Sequence, residues 1–269
     1  HKTSSAASDV YKRQDKRVSG RGIKLLKEAG IQVHLGLCKK ESSELNKAFI
    51  HRNVTKKAFG VLKWAMSIDG RIGLKNGKSK WITNEKSRSL VHSFRAEFDA
   101  IIIGGNTLRK DNPLLTTRGL KYKEPLRVVF TKTLDLPEKS NLWDCNMAKT
   151  LVIYDSSTAN ESLLTRIPKC VEVAKVSEDN PELISKFLAK RGCNKVLWEC
   201  GPKLATAAMR SGCINEIISF IAPKILGGET SMNPLGDFDF LEMDEIIKLR
   251  KSNISFLDND ICIKSSLEN

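Results

Sequence analysis

Three short blocks of the chain place polar side chains at the ends of apolar, strand-like runs. The first runs from Leu62 to Ile72 and includes Ser67-Ile68-Asp69-Gly70, which is typical of a turn. The second extends from Arg95 to Arg118, and the third is Glu199-Cys200-Gly201-Pro202. Arginine binds phosphate oxygens bidentately, and a carboxylate beside an apolar strand needs a partner. These residue types predict a site for a flat, phosphorylated ligand, although each block alone is equally typical of an ordinary turn.

Two of these blocks also contain a strand followed by glycine and a helix. Ile101–Ile103 leads into Gly104-Gly105-Asn106-Thr107, and Lys195–Trp198 leads into Gly201-Pro202. Free N–H groups at a helix start attract phosphate, and Pro is favoured in the first helical turn. Most turns of this kind are plain connections, but two in one sheet would face the same carboxyl edge, where open α/β sheets bind ligands.

The remaining chain predicts an α/β protein. Apolar runs predict strands over Ala58–Met66, Ala100–Ile103, Leu126–Phe130, Thr150–Tyr154, Lys195–Trp198 and Ile217–Ile221. Amphipathic segments predict helices over Asn84–Ala96, Pro181–Lys190 and Lys203–Ser211. This alternation favours a mostly parallel sheet flanked by helices. Lys248–Phe256 and Ile261–Ser265 predict an antiparallel C-terminal pair, and the absence of Gly-x-Gly-x-x-Gly disfavours a Rossmann site.

The composition bounds the function classes. Of 269 residues, 41% are hydrophobic, and no apolar run approaches the roughly 20 residues needed to cross a bilayer. Seven scattered cysteines without a CxxC pair favour free thiols in a reducing, cytoplasmic compartment. The net charge is +14, but +9 of it lies in residues 1–57, and aromatic residues make up only 6%. We therefore expect no membrane and no nucleic-acid partner.

The N-terminal region is expected to be separate from the enzyme body. Residues 1–14 have no apolar periodicity and are interpreted as a disordered or non-native leader. Ile23, Leu25, Leu26 and Ala29 predict a short helix ended by Gly30, alternation predicts a strand over Ile31–Leu35, and Glu41–Arg52 is again helical.

Lys57 to the C-terminus resembles the reductase domain of the bifunctional riboflavin-biosynthesis deaminase/reductase. The matching motifs are Ala65–Arg71, Ser79–Thr83, Arg95–Glu97, Gly104–Pro113, Leu115–Arg118, Glu199–Pro202 and Ile221–Gly228. The resemblance implies a dihydrofolate-reductase-like fold, NADPH as cofactor, and a homodimer. It also implies that residues 15–56 are a remnant of the deaminase domain and that 57–269 form the reductase. No His-x-Glu or CxxC segment is present, so no zinc site and no deamination are expected.

The resemblance also implies the ligand-binding residues. The counterparts of Ala65, Trp81, Thr107, Asp111 and the stretch Gly201, Pro202, Lys203, Leu204, Ala205, Thr206 and Ala207 would line the NADPH site. Thr131 would lie near the adenosine end, and Lys132 beside it would meet the 2′-phosphate. The substrate would contact Ser79, Arg95, Leu115, Arg118 and Glu199. His92 is interpreted as structural or exposed.

The implied reaction is the reduction of the ribosyl group of 5-amino-6-(5-phosphoribosylamino)uracil to ribityl by NADPH. Lys63 and Asp69 flank the small Ala65 and, with Glu199, are the candidate catalytic residues. Their alternative interpretations are a surface Lys, a turn Asp and a salt-bridged Glu. The alternative functions are reduction of another pterin or pyrimidine, and a relic that kept the fold without activity.

Arg118→Ala tests the assignment of a phosphate-binding arginine. Loss of a charge-assisted hydrogen bond is expected to raise the KM of the phosphorylated substrate about tenfold or more. The KM of NADPH should stay nearly unchanged, because only the sugar-phosphate partner loses a contact. Steady-state kinetics with each ligand varied in turn measure both constants, and equal weakening of the two would contradict this role.

Overall fold

A computed structural model describes residues 20–34, 36–121 and 123–268. These residues form a nine-stranded sheet in the order β5-β4-β3-β2-β6-β1-β7-β9-β8. The strands are β1 (Phe59–Ser67), β2 (Ala100–Gly104), β3 (Leu126–Thr131), β4 (Thr150–Asp155), β5 (Glu172–Val176), β6 (Lys195–Trp198), β7 (Glu216–Ala222), β8 (Leu249–Leu257) and β9 (Asp260–Leu267). The helices are α1 (Arg21–Glu28), α2 (Lys39–Leu45), α3 (Lys47–Thr55), α4 (Glu85–Arg95), α5 (Gly105–Asp111), α6 (Pro181–Lys190) and α7 (Pro202–Arg210).

The first seven strands are all parallel, and β9 and β8 continue the sheet in antiparallel pairs. The central strands β2, β3 and β4 are buried almost throughout, because the sheet is covered on both faces. One core cluster includes Val91 and Phe94 of α4, and the other includes Ile184 of α6 and Ala208 of α7. The predicted α/β class, mostly parallel with an antiparallel C-terminal pair, is confirmed.

Every predicted strand and helix of the reductase region is present, with its ends shifted by no more than two residues. The sequence analysis missed β5, whose residues are mostly exposed at the edge of the sheet. Glu172 and Lys175 interrupt its apolar pattern, so only Val176 is buried. An edge strand of this kind lacks the continuous apolar run that identifies the central parallel strands.

The predicted strand Ile31–Leu35 is wrong over residues 31–34, and Leu35 lies outside the described residues. None of the nine strands among the described residues pairs with this segment, so its backbone groups lack the ladder partners of a strand, and Ile31 remains 51% exposed. The helix before it is present as α1, but none of its residues is buried. The predicted leader, residues 1–14, also lies outside the described part of the chain.

The predicted helix Glu41–Arg52 is divided at Asn46 into α2 and α3, and only α3 packs against the sheet. The His51 ring meets the Phe59 ring edge-on at 5.5 Å, and Lys47 forms an ion pair with Glu216 of β7. In contrast, α2 buries no residue. Within the described residues, the N-terminal region packs against the sheet through α3, and α2 adds an exposed ion pair between Glu44 and Lys251 at 3.9 Å.

Three further observations concern metals, thiols and membranes. Within residues 20–34, 36–121 and 123–268, no three His, Cys, Asp or Glu side chains come together as metal ligands would. All seven cysteines are free thiols. None of the helices in the described ranges is long and apolar enough to cross a bilayer. The absence of a bound zinc ion stays a prediction.

Two truncations test which N-terminal element stabilises the fold. A chain that begins at Asn46 loses α1 and α2 and should keep the melting temperature of the full chain. A chain that begins at Lys57 also loses the α3 contacts to Phe59 and should melt several degrees lower, since about 1 kcal/mol lowers the melting temperature by about 2–4 °C at this size. Calorimetry measures both, and an equal drop in the two truncated chains would contradict the assignment.

Candidate active site

The cleft in which the predicted residues meet is created by the shortness of β6. This strand pairs with Leu62 of β1 and Ile102 of β2 at its last residue, Trp198. Both neighbours continue beyond that level, and the Glu199 N–H donates to the carbonyl of Ile102 at 2.9 Å. A cleft of about 670 Å³ opens above the end of β6. It lies at the carboxyl edge where the chain order reverses, the usual ligand site of an open α/β sheet.

Glu199 is the centre of a buried ion cluster at the base of this cleft. Its carboxylate accepts from Arg95 Nε at 2.7 Å and Arg95 Nη2 at 3.0 Å, and from Lys63 Nζ at 3.5 Å. Burial would raise the pKa of Glu199, but the charges and hydrogen bonds of Arg95 and Lys63 outweigh burial and lower it to about 2. The glutamate is therefore ionised at neutral pH, as the sequence analysis requires of an acceptor.

Helix α4 carries Arg95 into the cluster as its last residue, where a cation is favoured by the helix dipole. The opposite end of the helix is fixed by Asn84, whose side chain accepts from the Ser87 N–H at 2.9 Å. Asp260 of β9 accepts from the Asn84 N–H and from the Ser87 hydroxyl, both at 2.7 Å. The C-terminal hairpin thus sets the position of the helix that presents Arg95.

A loop after α5 forms the second wall. Its backbone has positive φ at Asn112 (40°), Leu115 (53°) and Arg118 (54°), which costs free energy in residues other than glycine. The loop is held where Thr117 donates both its N–H and its hydroxyl to the Glu124 carboxylate at 2.7 Å. Leu115 is buried and Arg118 is exposed, and both line the cleft.

Trp81 forms part of the third wall and keeps its ring accessible. Its side chain is 64% exposed, while its carbonyl accepts from Lys224 Nζ at 3.1 Å. The Arg88 guanidinium lies 4.5 Å from the ring centroid. A ring fixed by its backbone and supported by a cation is suited to contact a flat ligand.

Ten of the predicted site residues line this one cleft. They are Lys63, Ala65, Ser79, Trp81, Arg95, Thr107, Asp111, Leu115, Arg118 and Glu199. They come from β1, α4, α5 and three loops, so only the tertiary structure brings them together. Lys63 and Ala65 are two residues apart on β1 and therefore face the same side of the sheet.

Asp69 is not brought into the cleft. It lies in the turn after β1, where its carboxylate accepts from the N–H groups of Leu226 at 3.2 Å and Gly227 at 2.7 Å. Hydrogen bonding to Ser67 and to these N–H groups lowers the pKa of Asp69 to about 2. These contacts fit the turn interpretation, with Asp69 tying the Leu226-Gly227 loop to the end of β1.

The remaining predicted cofactor residues are not among those that line the cleft. Thr131 is buried, and its hydroxyl accepts from the Leu134 N–H at 3.2 Å. Gly201 and Pro202 follow the cleft-lining Cys200 and begin α7, whereas the rest of the stretch, Lys203, Leu204, Ala205, Thr206 and Ala207, runs on along the helix. The Lys132 ammonium forms an ion pair with Asp179.

Lys80, Arg88 and Asn112 also line the cleft, although the sequence did not identify them as site residues. His92, interpreted from the sequence as structural or exposed, lines it as well. Arg88, His92 and Arg95 are spaced i, i+4 and i+7, so their spacing alone predicts one face of a helix. His92 Nδ1 lies 3.4 Å from Arg95 Nη1 and from the Thr116 carbonyl oxygen. Burial, followed by the charges of Arg95 and Arg118, lowers the pKa of His92, which favours the neutral ring.

The ion cluster predicts a specific acid sensitivity. Because the pKa of Glu199 is about 2 in the folded protein and 4.5 for an unperturbed glutamate, the stabilisation is present above about pH 4.5 and is lost as the pH falls toward 2. Between about pH 5 and pH 3 the free energy of unfolding should fall in the wild type by on the order of 2 kcal/mol more than in Glu199→Gln. Urea titrations at each pH measure the free energy of unfolding. Glu97→Gln removes an exposed ion pair, so its free energy of unfolding should depend on pH as that of the wild type does. The assignment would be contradicted if the free energy of unfolding of Glu199→Gln had the same pH dependence as that of the wild type.

Two solved structures resemble the fold. That of Acinetobacter baumannii RibD has a TM-score of 0.81 at 28% identity, covering 94% of this chain and 70% of that one. A diaminohydroxyphosphoribosylaminopyrimidine deaminase/5-amino-6-(5-phosphoribosylamino)uracil reductase from Thermotoga maritima has a TM-score of 0.77 at 28% identity, covering 93% of this chain and 68% of that one. The fold class implied by the sequence resemblance is thereby confirmed.

Sequence similarity agrees with the structural likeness. The riboflavin biosynthesis protein RibD of Synechocystis is 40% identical over 233 residues, which are 86% of this chain, and the chain spans 63% of the length of that relative. The family described as the RibD C-terminal domain matches residues 58–263, from the beginning of β1 into β9. The chain belongs to the RibD C-terminal domain family.

Proposed function

We propose that the chain reduces the ribosyl group of 5-amino-6-(5-phosphoribosylamino)uracil to ribityl with NADPH, in riboflavin biosynthesis. The observation that carries this proposal is the buried Glu199–Arg95–Lys63 cluster at the base of a cleft with a basic rim. Arg118, Arg88 and Lys80 line the same cleft and are not paired with Glu199, so they leave positive charge for a phosphate. The name of the Thermotoga relative includes this reductase activity.

The residues present fit a dinucleotide cofactor. Helix α7 begins with Gly201 and Pro202 and has no side-chain cap, so N–H groups of its first turn are available to a pyrophosphate. A Cβ atom added at Gly201 would meet no atom within 4 Å, so the helix start is open to a ligand. The small Ala65 leaves room on β1, while Trp81, Thr107 and Asp111 complete the wall. These residues would hold NADPH.

The substrate half is assigned to the opposite wall. A carboxylate has about four acceptor positions, and Glu199 uses three of them on Arg95 and Lys63. The remaining position suits a pyrimidine N–H, as the sequence resemblance implies. Arg118 and Ser79 would bind the ribose phosphate, and Leu115 would pack against the ring.

The reaction needs a proton donor close to the sugar. The C1′–O4′ bond breaks as the adjacent nitrogen forms a C=N bond to C1′, and O4′ takes up a proton. A bound NADPH would supply the hydride for C1′ and would become NADP⁺. Lys63 Nζ has three donors, of which one is directed to Glu199, so another can protonate O4′. Glu199 holds the ammonium in place, and Arg95 keeps Glu199 ionised.

A three-substrate assay tests this function. NADPH consumption is followed with the phosphoribosylaminouracil, with its non-deaminated diaminopyrimidine analogue and with dihydrofolate, and mass spectrometry checks the product for addition of H2. Turnover is expected with the uracil, and Lys63→Met should lower kcat about 100-fold or more with a small change in KM. Lys78→Met, an exposed lysine outside the cleft, is the control. Preference for either other substrate, or no turnover at all, would overturn the proposal.

We also propose that the chain is a homodimer that pairs through β8. The sequence resemblance implies the homodimer. Of the two apolar C-terminal segments, Ile217–Ile221 lies inside the sheet as part of β7, and Ile254–Ile263 extends from β8 into β9. The exposed apolar surface is on edge strand β8, where Ile254 is 62% and Phe256 is 74% exposed. An edge strand offers unpaired backbone groups. If two copies paired through β8 about a two-fold axis, each copy would cover the edge strand of the other.

Sedimentation tests the dimer. At micromolar concentration the wild type should sediment at twice the calculated 30.0 kDa, and Phe256→Lys should shift the equilibrium toward monomer because it adds a charge to the apolar edge. Lys251→Met, on the same strand, removes a charge and should leave the dimer intact. A wild-type monomer would refute the proposal.

A further inference from the structure

Arg127 is a buried arginine in the middle of the sheet that the proposed reaction does not use. It is the second residue of β3, pairs with Ile101 and Thr150 on the neighbouring strands, and has no exposed surface. Within the described part of the chain, its guanidinium donates only to backbone carbonyls. These are Leu114 and Asn141, each 3.4 Å from Nη1, and Leu142, Asp144 and Ala148 at 3.0, 2.8 and 2.6 Å from Nη2.

Burying this charge is costly, since its hydrogen-bond partners include no carboxylate. Burial lowers the pKa of Arg127, which records the same cost. Leu126 and Val128 on either side are apolar, so packing alone would favour an apolar residue here. The guanidinium instead satisfies carbonyls of irregular loops, which have no ladder partner.

Both loops that Arg127 holds contribute to the cleft. Leu114 and Arg118 line it from the loop after α5, and Asn141 lines it from the connection between β3 and β4. The two loops are also joined at the rim. Asn112 accepts from the Asn141 N–H at 2.8 Å, and its carbonyl accepts from Asn141 Nδ2 at 2.7 Å. Arg127 therefore supports this wall of the cleft from the protein interior, and the Asn112–Asn141 pair closes the same wall at the surface.

We propose that Arg127 is a positioning residue for substrate, which fixes the loop from Asn112 to Arg118 in the conformation that presents Arg118 to the cleft. The positive φ values at Asn112, Leu115 and Arg118 make this conformation unfavourable without outside support. The guanidinium supplies that support at Leu114, directly beside Leu115. The catalytic consequence rests on the proposed function, whereas the loop conformation does not.

Arg127→Met keeps an unbranched apolar stem but removes every donor, and Arg127→Lys restores some of them. The KM of the phosphorylated substrate should rise about tenfold or more in Arg127→Met and less in Arg127→Lys, with the KM of NADPH within about twofold of wild type. Ile184→Ala, a buried cavity variant in the other core cluster, is the control for destabilisation. It should lower the melting temperature without changing either KM.

Limited proteolysis gives a readout independent of activity. Trypsin cleavage after the exposed Arg118, followed by mass spectrometry under native conditions, should be faster in Arg127→Met than in wild type or Ile184→Ala. If Arg127→Met does not fold, Arg127→Lys is measured by both assays. Unchanged substrate KM and unchanged cleavage, or equal effects in Ile184→Ala, would overturn the inference. A wild-type chain without turnover would refute the proposed function, and the cleavage rates would still decide the role of Arg127.

Discussion

The early end of β6 is the constraint on which the site depends. Because β6 stops at Trp198 while β1 and β2 continue, the sheet has a gap on its carboxyl edge that backbone pairing cannot fill. The side chains next to the gap are therefore free to carry polar chemistry in an otherwise apolar sheet. Glu199 is the first residue after the last pair of β6, and Lys63 is the first residue of β1 beyond that pair.

The gap also explains the composition of the ion cluster. A lone carboxylate above an apolar strand would be strongly disfavoured, but two cations from separate elements reverse that preference. Arg95 binds both carboxylate oxygens and Lys63 binds one, which leaves acceptor and donor capacity facing the cleft. The same contacts that make the buried charge tolerable thus leave the groups that the proposed chemistry requires.

The walls of the cleft depend on contacts made far from it along the chain. Asp260 of the C-terminal hairpin fixes the start of α4, and Glu124 fixes the loop that carries Arg118. Arg127 joins that loop to the connection before β4. Each support is a charged or polar side chain that satisfies backbone groups of an irregular segment. The site is irregular in backbone but has few backbone groups free to rearrange.

After Lys57 the sequence by itself determined the helices and every strand except β5, because apolar runs and helical periodicity are local signals. Family motifs identified ten residues of one cleft. Three things were decided only by the tertiary structure. The alternation of Ile31–Leu35 does not form a strand over residues 31–34, and none of the nine strands in the described part of the chain pairs with it. Asp69 faces a backbone loop instead of the cleft. His92 shares a helix face with Arg95, as their spacing predicts, but its contact with the Thr116 carbonyl joins residues 24 positions apart and leaves no trace in the local pattern.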